Sequence, residues 1–338
     1  MTAQDPEPAS AARFEPVVLC GGAGVVAAVV GAGLTAAGQV PGVAGPGPVV
    51  VYGLPAVRVA MDAAVVVAVG VSLLARLLGY DRPDRTEPVN RPARRAGFAA
   101  GVVWLGCALL AAVLQTAELS PPTPAAVIRY IRDVPGGQGL LLSAVCALAY
   151  TLFTWAALRH GERIPAELRL GVALFGLLPL QVTGHASDWA FHDVSMVTSE
   201  LHVMAAAIWT GGLLAVAAFL NGRPLLLALT LPRFSRLATL AIAAVALTGL
   251  VNGLVELAQT PGVRLPGALL TTTYGLLVLV KIALVAALAA LGGYVRFRLL
   301  PVVARAGRAA VLGWACGEIT VMGLAYGVGV VLSRAPVA

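Results

Sequence analysis

An all-α bundle of about nine membrane-spanning helices is predicted by three features of this 338-residue sequence. Hydrophobic residues make up 59 % of it and Asp, Glu, Lys and Arg only 12 %, where soluble domains carry about a quarter charged residues. The apolar residues gather into runs of about 20, enough for a helix to cross some 30 Å of hydrocarbon. Between the runs, arginine falls mainly on every second connection, the pattern that orients a polytopic protein in a bilayer.

The elements follow in order. Residues 1–16 are polar, Pro- and Ala-rich, and read as a disordered cytoplasmic tail. They lack the basic start and apolar core of a cleaved leader, so the first span is expected to be a retained helix. Spans are predicted near 17–38, 57–79, 97–118, 138–158, 167–183, 195–220, 236–257, 272–295 and 310–333. Spans one to five form an N-terminal region, 17–183. A C-terminal region, 184–336, holds the last four and the polar loop before them. The connection between spans three and four contains AAVIRYIRDV, which is expected to form a short amphipathic helix at the interface.

Arg82, Arg85, Arg91, Arg94 and Arg95 crowd the second connection, and later even-numbered connections carry Arg159, Arg163, Arg169, Arg223, Arg233, Arg296, Arg298, Arg305 and Arg308. The positive-inside rule then puts the N-terminus in the cytoplasm and the C-terminus outside the cell membrane. The net charge of +7 is spread over these short loops, so the partner it implies is the lipid bilayer and not nucleic acid. The four cysteines lie singly inside apolar runs, giving neither a disulfide framework nor a Cys metal cluster.

Chemistry concentrates at one place. Residues 184–216, GHASDWAFHDVSMVTSELHVMAAAIWTGGLLAV, hold three of the four histidines, His185, His192 and His202, together with Met196. Imidazole and thioether together suit copper, the thioether favouring Cu(I). His192 and Met196 are four apart. His192 and His202 are ten apart, roughly 15 Å in rise on one straight helix, too far to share an ion. Either His192 folds back on a loop, or His185/His192 and His202 form two stations in series; the series arrangement suits a transport path. Within the spans, Thr248 and Asn252 share a face of the seventh. Lys281, the only lysine, lies deep in the eighth. Glu318 in the ninth is expected within several ångströms of the same depth, and cost alone favours an ion pair between the two.

Three ordered blocks resemble a known family. ELHVMAAAIWTGGL (200–213), RFSRLATLAIAAVALTGLVNG (233–253) and TTTYGLLVLVKIALVAALAALGGYVRFRLLP (271–301) are similar to segments of CopD-type copper-resistance membrane proteins. The G-H-x6-H feature at His185 and His192 looks like the actinobacterial form. The resemblance implies copper import or delivery, and carries functional positions onto His202, Trp209, Asn252, Tyr274, Lys281 and Glu318. It also implies an extracytoplasmic copper chaperone, or a separate CtaG-like oxidase-assembly protein, as partner. No Walker motif or Cys-Pro-Cys pump sequence is present, so ATP-driven transport and enzymatic activity are not expected. The His-Trp-Gly-Gly-Leu pattern is more weakly similar to HemJ-type proteins. That alternative is a membrane oxidoreductase binding haem b through His202, and another is that the chain is itself a cytochrome-oxidase assembly factor.

Overall fold

The computed structural model describes residues 22–23, 26–27, 30, 47–180, 192–220, 222–259, 267–294, 317–318 and 320–329. Within them the chain is helical, without strands. Its helices are α1 (Pro48–Leu78), α2 (Pro83–Leu119), α3 (Pro124–Asp133), α4 (Pro135–His160), α5 (Ala166–Phe175), α6 (His192–Leu220), α7 (Pro224–Gln259), a single turn α8 (Ala268–Thr271), α9 (Thr273–Tyr294) and α10 (Thr320–Gly329). Six described helices, α1, α2, α4, α6, α7 and α9, are long and apolar enough to cross a membrane. The protein is an all-α, multi-pass membrane bundle.

Local sequence sets where the helices begin and end. Proline stands at the first helical position of α1, α2, α3, α4 and α7, where its missing N–H costs nothing. Gly79 and Gly161 stop α1 and α4 in left-handed conformations, φ 75° and 66°. The short helix expected in the third connection is α3, capped by the Thr123 side chain accepting from the Ala126 N–H.

Of the nine expected spans, most of the first and half of the last lie outside the described residues. The fifth, expected over 167–183, differs. Its helix α5 is ten residues, about 15 Å, half the hydrocarbon thickness. The chain turns at Gly176, against the Trp104 ring, and continues as a 3-10 turn at Leu178–Leu180. Pro179 lies in that turn, where it has no N–H to give to a continuing helix.

Side-chain contacts fix the relative directions. α1 and α6 run parallel in backbone contact: a Cβ on Gly70 would overlap the Gly211 carbonyl, and one on Gly211 would overlap the Val66 carbonyl. Small residues allow that approach in lipid. α6 and α7 are antiparallel, with Gly212 against Phe234 near one end and Ser199 bonded to Asn252 near the other. α7 meets α9 where Gly253 faces Val278, and α9 pairs with the last segment. Tyr150 donates to the Ala68 carbonyl (3.0 Å) and the Trp104 indole to Ser143 (3.0 Å), tying α1, α2 and α4 together.

The arginine-bearing connections meet at one end. Arg223 donates to the Pro88 carbonyl and Arg233 to the Leu77 carbonyl. Arg94 and Arg169 are 2 % and 1 % exposed, and both are held by Glu162: Arg94 through Oε1 at 2.7 Å, Arg169 through Oε2 at 2.8 Å. Arg94 also bonds Glu87. Close by, Glu167 accepts from Tyr80 (2.7 Å) and pairs with Arg76 (2.9 Å). The Tyr80 bond, more than the arginine, holds the Glu167 carboxyl below its ordinary range, whereas burial first and Glu167 second push the Tyr80 hydroxyl up to about 12.

One carboxylate therefore neutralises two buried guanidinium groups. Glu162→Gln should lower stability by about 3 kcal/mol in detergent unfolding, because it strands the Arg169 charge and leaves Arg94 with Glu87 alone. Asp133→Asn, at the exposed Arg132–Asp133 pair, should change it by less than about 0.5 kcal/mol. Equal effects would show that Glu162 does not carry the network.

Candidate functional site

At the end opposite the arginines, polar side chains of α6, α7 and α9 face one another inside the bundle. His202 lies in α6, about two turns from the start of its apolar window at Met196. Its Nδ1 is 3.0 Å from the Thr248 hydroxyl on α7. Thr248 has a single proton, and the 2.6 Å bond to the Ala244 carbonyl uses it. Nδ1 must then be the donor and Thr248 the acceptor. This assigns the proton to Nδ1 and leaves Nε2 as a lone pair without a hydrogen-bond partner among the described residues. A metal-ligating histidine is commonly prepared in this way, with one nitrogen oriented by a hydrogen bond and the other available.

One turn further along, Asn252 locks the same two helices. Its amide N–H donates to Ser199 (3.1 Å), and its carbonyl oxygen accepts from Thr198. Gly249 lies between these bonds, where a Cβ would come within 3.0 Å of the His202 ring. The spacing of Thr248, Gly249 and Asn252 places all three against one face of α6, as the shared face of Thr248 and Asn252 leads one to expect.

Lys281 on α9 is close enough for its charge to act on His202. Its Nζ lies 3.4 Å from the Cβ position of Gly329 on α10. The expected Lys281–Glu318 ion pair is not formed. Glu318, 2 % exposed, lies against Gly292, eleven residues along α9 from Lys281 and so about 16 Å away in rise. The two contacts, Lys281 with Gly329 and Glu318 with Gly292, define one antiparallel register. Depth counted from assumed span ends missed this stagger. Among the described residues neither side chain forms an ion pair, and Glu318 Oε2 has no hydrogen-bond partner.

The other sequence-predicted positions divide. His192 is the first residue of α6, so it shares a helix with His202 at a rise of about 15 Å, and the fold-back alternative is not what forms. Only the backbone of His192 is described. Met196 is half-buried on α6, on a different side from His202. Trp209 is buried, two turns beyond His202 and next to the Gly211–Gly212 contact. Tyr274 opens α9, again described by its backbone. His185 lies outside the described residues. Among those that are described, no three His, Cys, Asp or Glu side chains converge in a way that would hold a metal ion. Sequence reading missed the Thr248 bond to His202; the i, i+4 polar pair on span seven was the available signal.

The tautomer assignment gives a direct expectation. In 15N spectra of histidine-labelled protein, His202 should show a protonated Nδ1 and an unprotonated Nε2. Thr248→Val should abolish that preference; an unchanged spectrum would contradict the bond.

Two comparisons match this chain. Residues 228–332 match the family described as copper resistance protein D, and residues 49–192 match the copper resistance protein D-like N-terminal domain. No curated protein and no solved structure matches.

Proposed function

The chain belongs to the copper resistance protein D family, a family of copper-handling membrane proteins, and from that premise we propose that it moves copper through the bundle without ATP. The observation that carries this reading is the free Nε2 of His202, fixed by Thr248 inside an apolar span. Histidine nitrogen is a good copper ligand, and burial there is costly unless used. We infer two stations in series along α6. His192, with His185 and Met196, captures copper at the mouth, and His202 receives it about 15 Å further in. The arginine distribution supports a mouth on the outer face, the side from which import would start. An extracytoplasmic copper chaperone as donor, or a separate CtaG-like assembly protein as acceptor, fits a delivery path that starts at this mouth.

Lys281 gives the inner station its character. In its ammonium form Lys281 opposes a metal cation at His202 and keeps the station weak, as passage requires. Asn252 holds α6 and α7 in register, and Trp209 fills the bundle below the imidazole, so the metal is received at one level and not along the whole seam.

In proteoliposomes, His202→Ala should abolish copper uptake while leaving binding at the mouth. His185→Ala with His192→Ala should reduce capture at low copper. A triple variant that still binds and transports normally would remove the assignment. Lys281→Met should raise copper retention by about tenfold and slow turnover, since a repulsion worth roughly 1.4 kcal/mol changes affinity by that factor.

A haem-binding oxidoreductase would use the same imidazole, and an absorption spectrum separates the two. Purified protein is expected to retain copper without a Soret band; a Soret band at one haem per chain would favour the haem reading.

A further inference from the structure

Where α1 gives way to α2, at the arginine end, the chain encloses a cleft of about 330 Å³, open on one side. Tyr80, Asp84, Glu87, Asn90 and Glu162 line it, with no basic residue in its wall. That is the reverse of its surroundings, which carry most of the arginine of this half of the chain. Both oxygens of Glu162 are engaged by Arg94 and Arg169, and one of Glu87 is engaged by Arg94. Asp84 is exposed and forms no ion pair among the described residues. Asn90 is 2 % exposed, and its Oδ1 has no hydrogen-bond partner. An orphaned acceptor in a buried side chain calls for a donor.

The acceptors left over are thus the Asp84 carboxylate, the second oxygen of Glu87 and the amide oxygen of Asn90, all on the first two turns of α2. They ask for a cationic N–H donor. Among the described residues no three carboxylate or imidazole groups converge on a metal position, so a bare metal ion is a poor match. A primary ammonium is a good one, because it donates in three directions and is strengthened by carboxylate acceptors. The place narrows the source. The cleft lies just beyond Leu78, the last residue of the α1 span, with Tyr80 42 % exposed beside it, the position of an interfacial aromatic. Arg82 and Arg85, which flank the lining residues Pro83 and Asp84 in the chain, are exposed and form no ion pair among the described residues. They provide donors for a phosphate alongside the ammonium.

We propose that this cleft is a headgroup site for an ethanolamine phospholipid, taking the ammonium at Asp84, Glu87 and Asn90 and the phosphate at Arg82 and Arg85. A choline headgroup has no N–H to give, and a glycerol headgroup has no cation. The site is independent of the copper reading, since it sits at the other end of the bundle from His202.

The test is native mass spectrometry of the full chain titrated with phosphatidylethanolamine, phosphatidylcholine and phosphatidylglycerol of identical acyl chains. Phosphatidylethanolamine should be retained about tenfold over either, the ratio that one charge-assisted bond supports. Asp84→Asn, an exposed change that leaves the Arg94 network intact, should bring retention close to that of phosphatidylcholine. Arg82→Gln with Arg85→Gln should lower retention of all three phospholipids alike. Equal retention by the parent protein, or preference for phosphatidylglycerol, would overturn the proposal. So would Asp84-dependent binding of soluble phosphoethanolamine, or of a lysine-rich peptide, without any preference among the lipids.

Discussion

A polar side chain inside hydrocarbon has no water to fall back on, so its partners must come from the neighbouring helix. The α6–α7 seam is built on that constraint. Thr248 spends its proton on its own helix, which obliges His202 to donate and leaves one imidazole nitrogen with nothing to do. Asn252 uses both ends of its amide on Ser199 and Thr198. These bonds hold α6 and α7 at one height, and the contact of Gly70 with Gly211 holds α6 against α1. The histidine is therefore placed by two interfaces rather than by its own rotamer.

The opposite end solves the same problem with charge. Two buried arginines share Glu162, and the pairing brings the second and fourth connections together. The molecule is polarised as a result. Arginine-rich connections close one end through ion pairs and carbonyl bonds, while small polar residues and imidazole occupy the other.

Much of this was legible in the sequence. Run length and arginine alternation identify an all-α membrane bundle, because hydrocarbon thickness and interfacial charge act on each segment separately. Helix starts were less legible: α1, α2 and α7 begin at Pro48, Pro83 and Pro224, nine to fourteen residues before the expected spans, because hydropathy marks the membrane-crossing part of a helix and not its whole length. The fifth run was marked for a kink by Pro179, and its helix ends about one turn earlier, at Gly176. Lys281 and Glu318 misled for a separate reason. Each was correctly read as buried, but their relative height depends on the register of two helices, which no count along one chain supplies. The tautomer of His202 was out of reach in the same way, since it depends on where the proton of a residue 46 positions away is already committed.

The central claim is that copper is received at Nε2 of His202, one station inward from the mouth. Anomalous scattering at the copper edge from copper-soaked crystals tests it most directly. The account predicts a peak bonded to His202 Nε2, with Nδ1 still on Thr248, and a second peak about 15 Å away near His192. Copper found only outside the bundle, with His202 Nε2 unliganded, would contradict it.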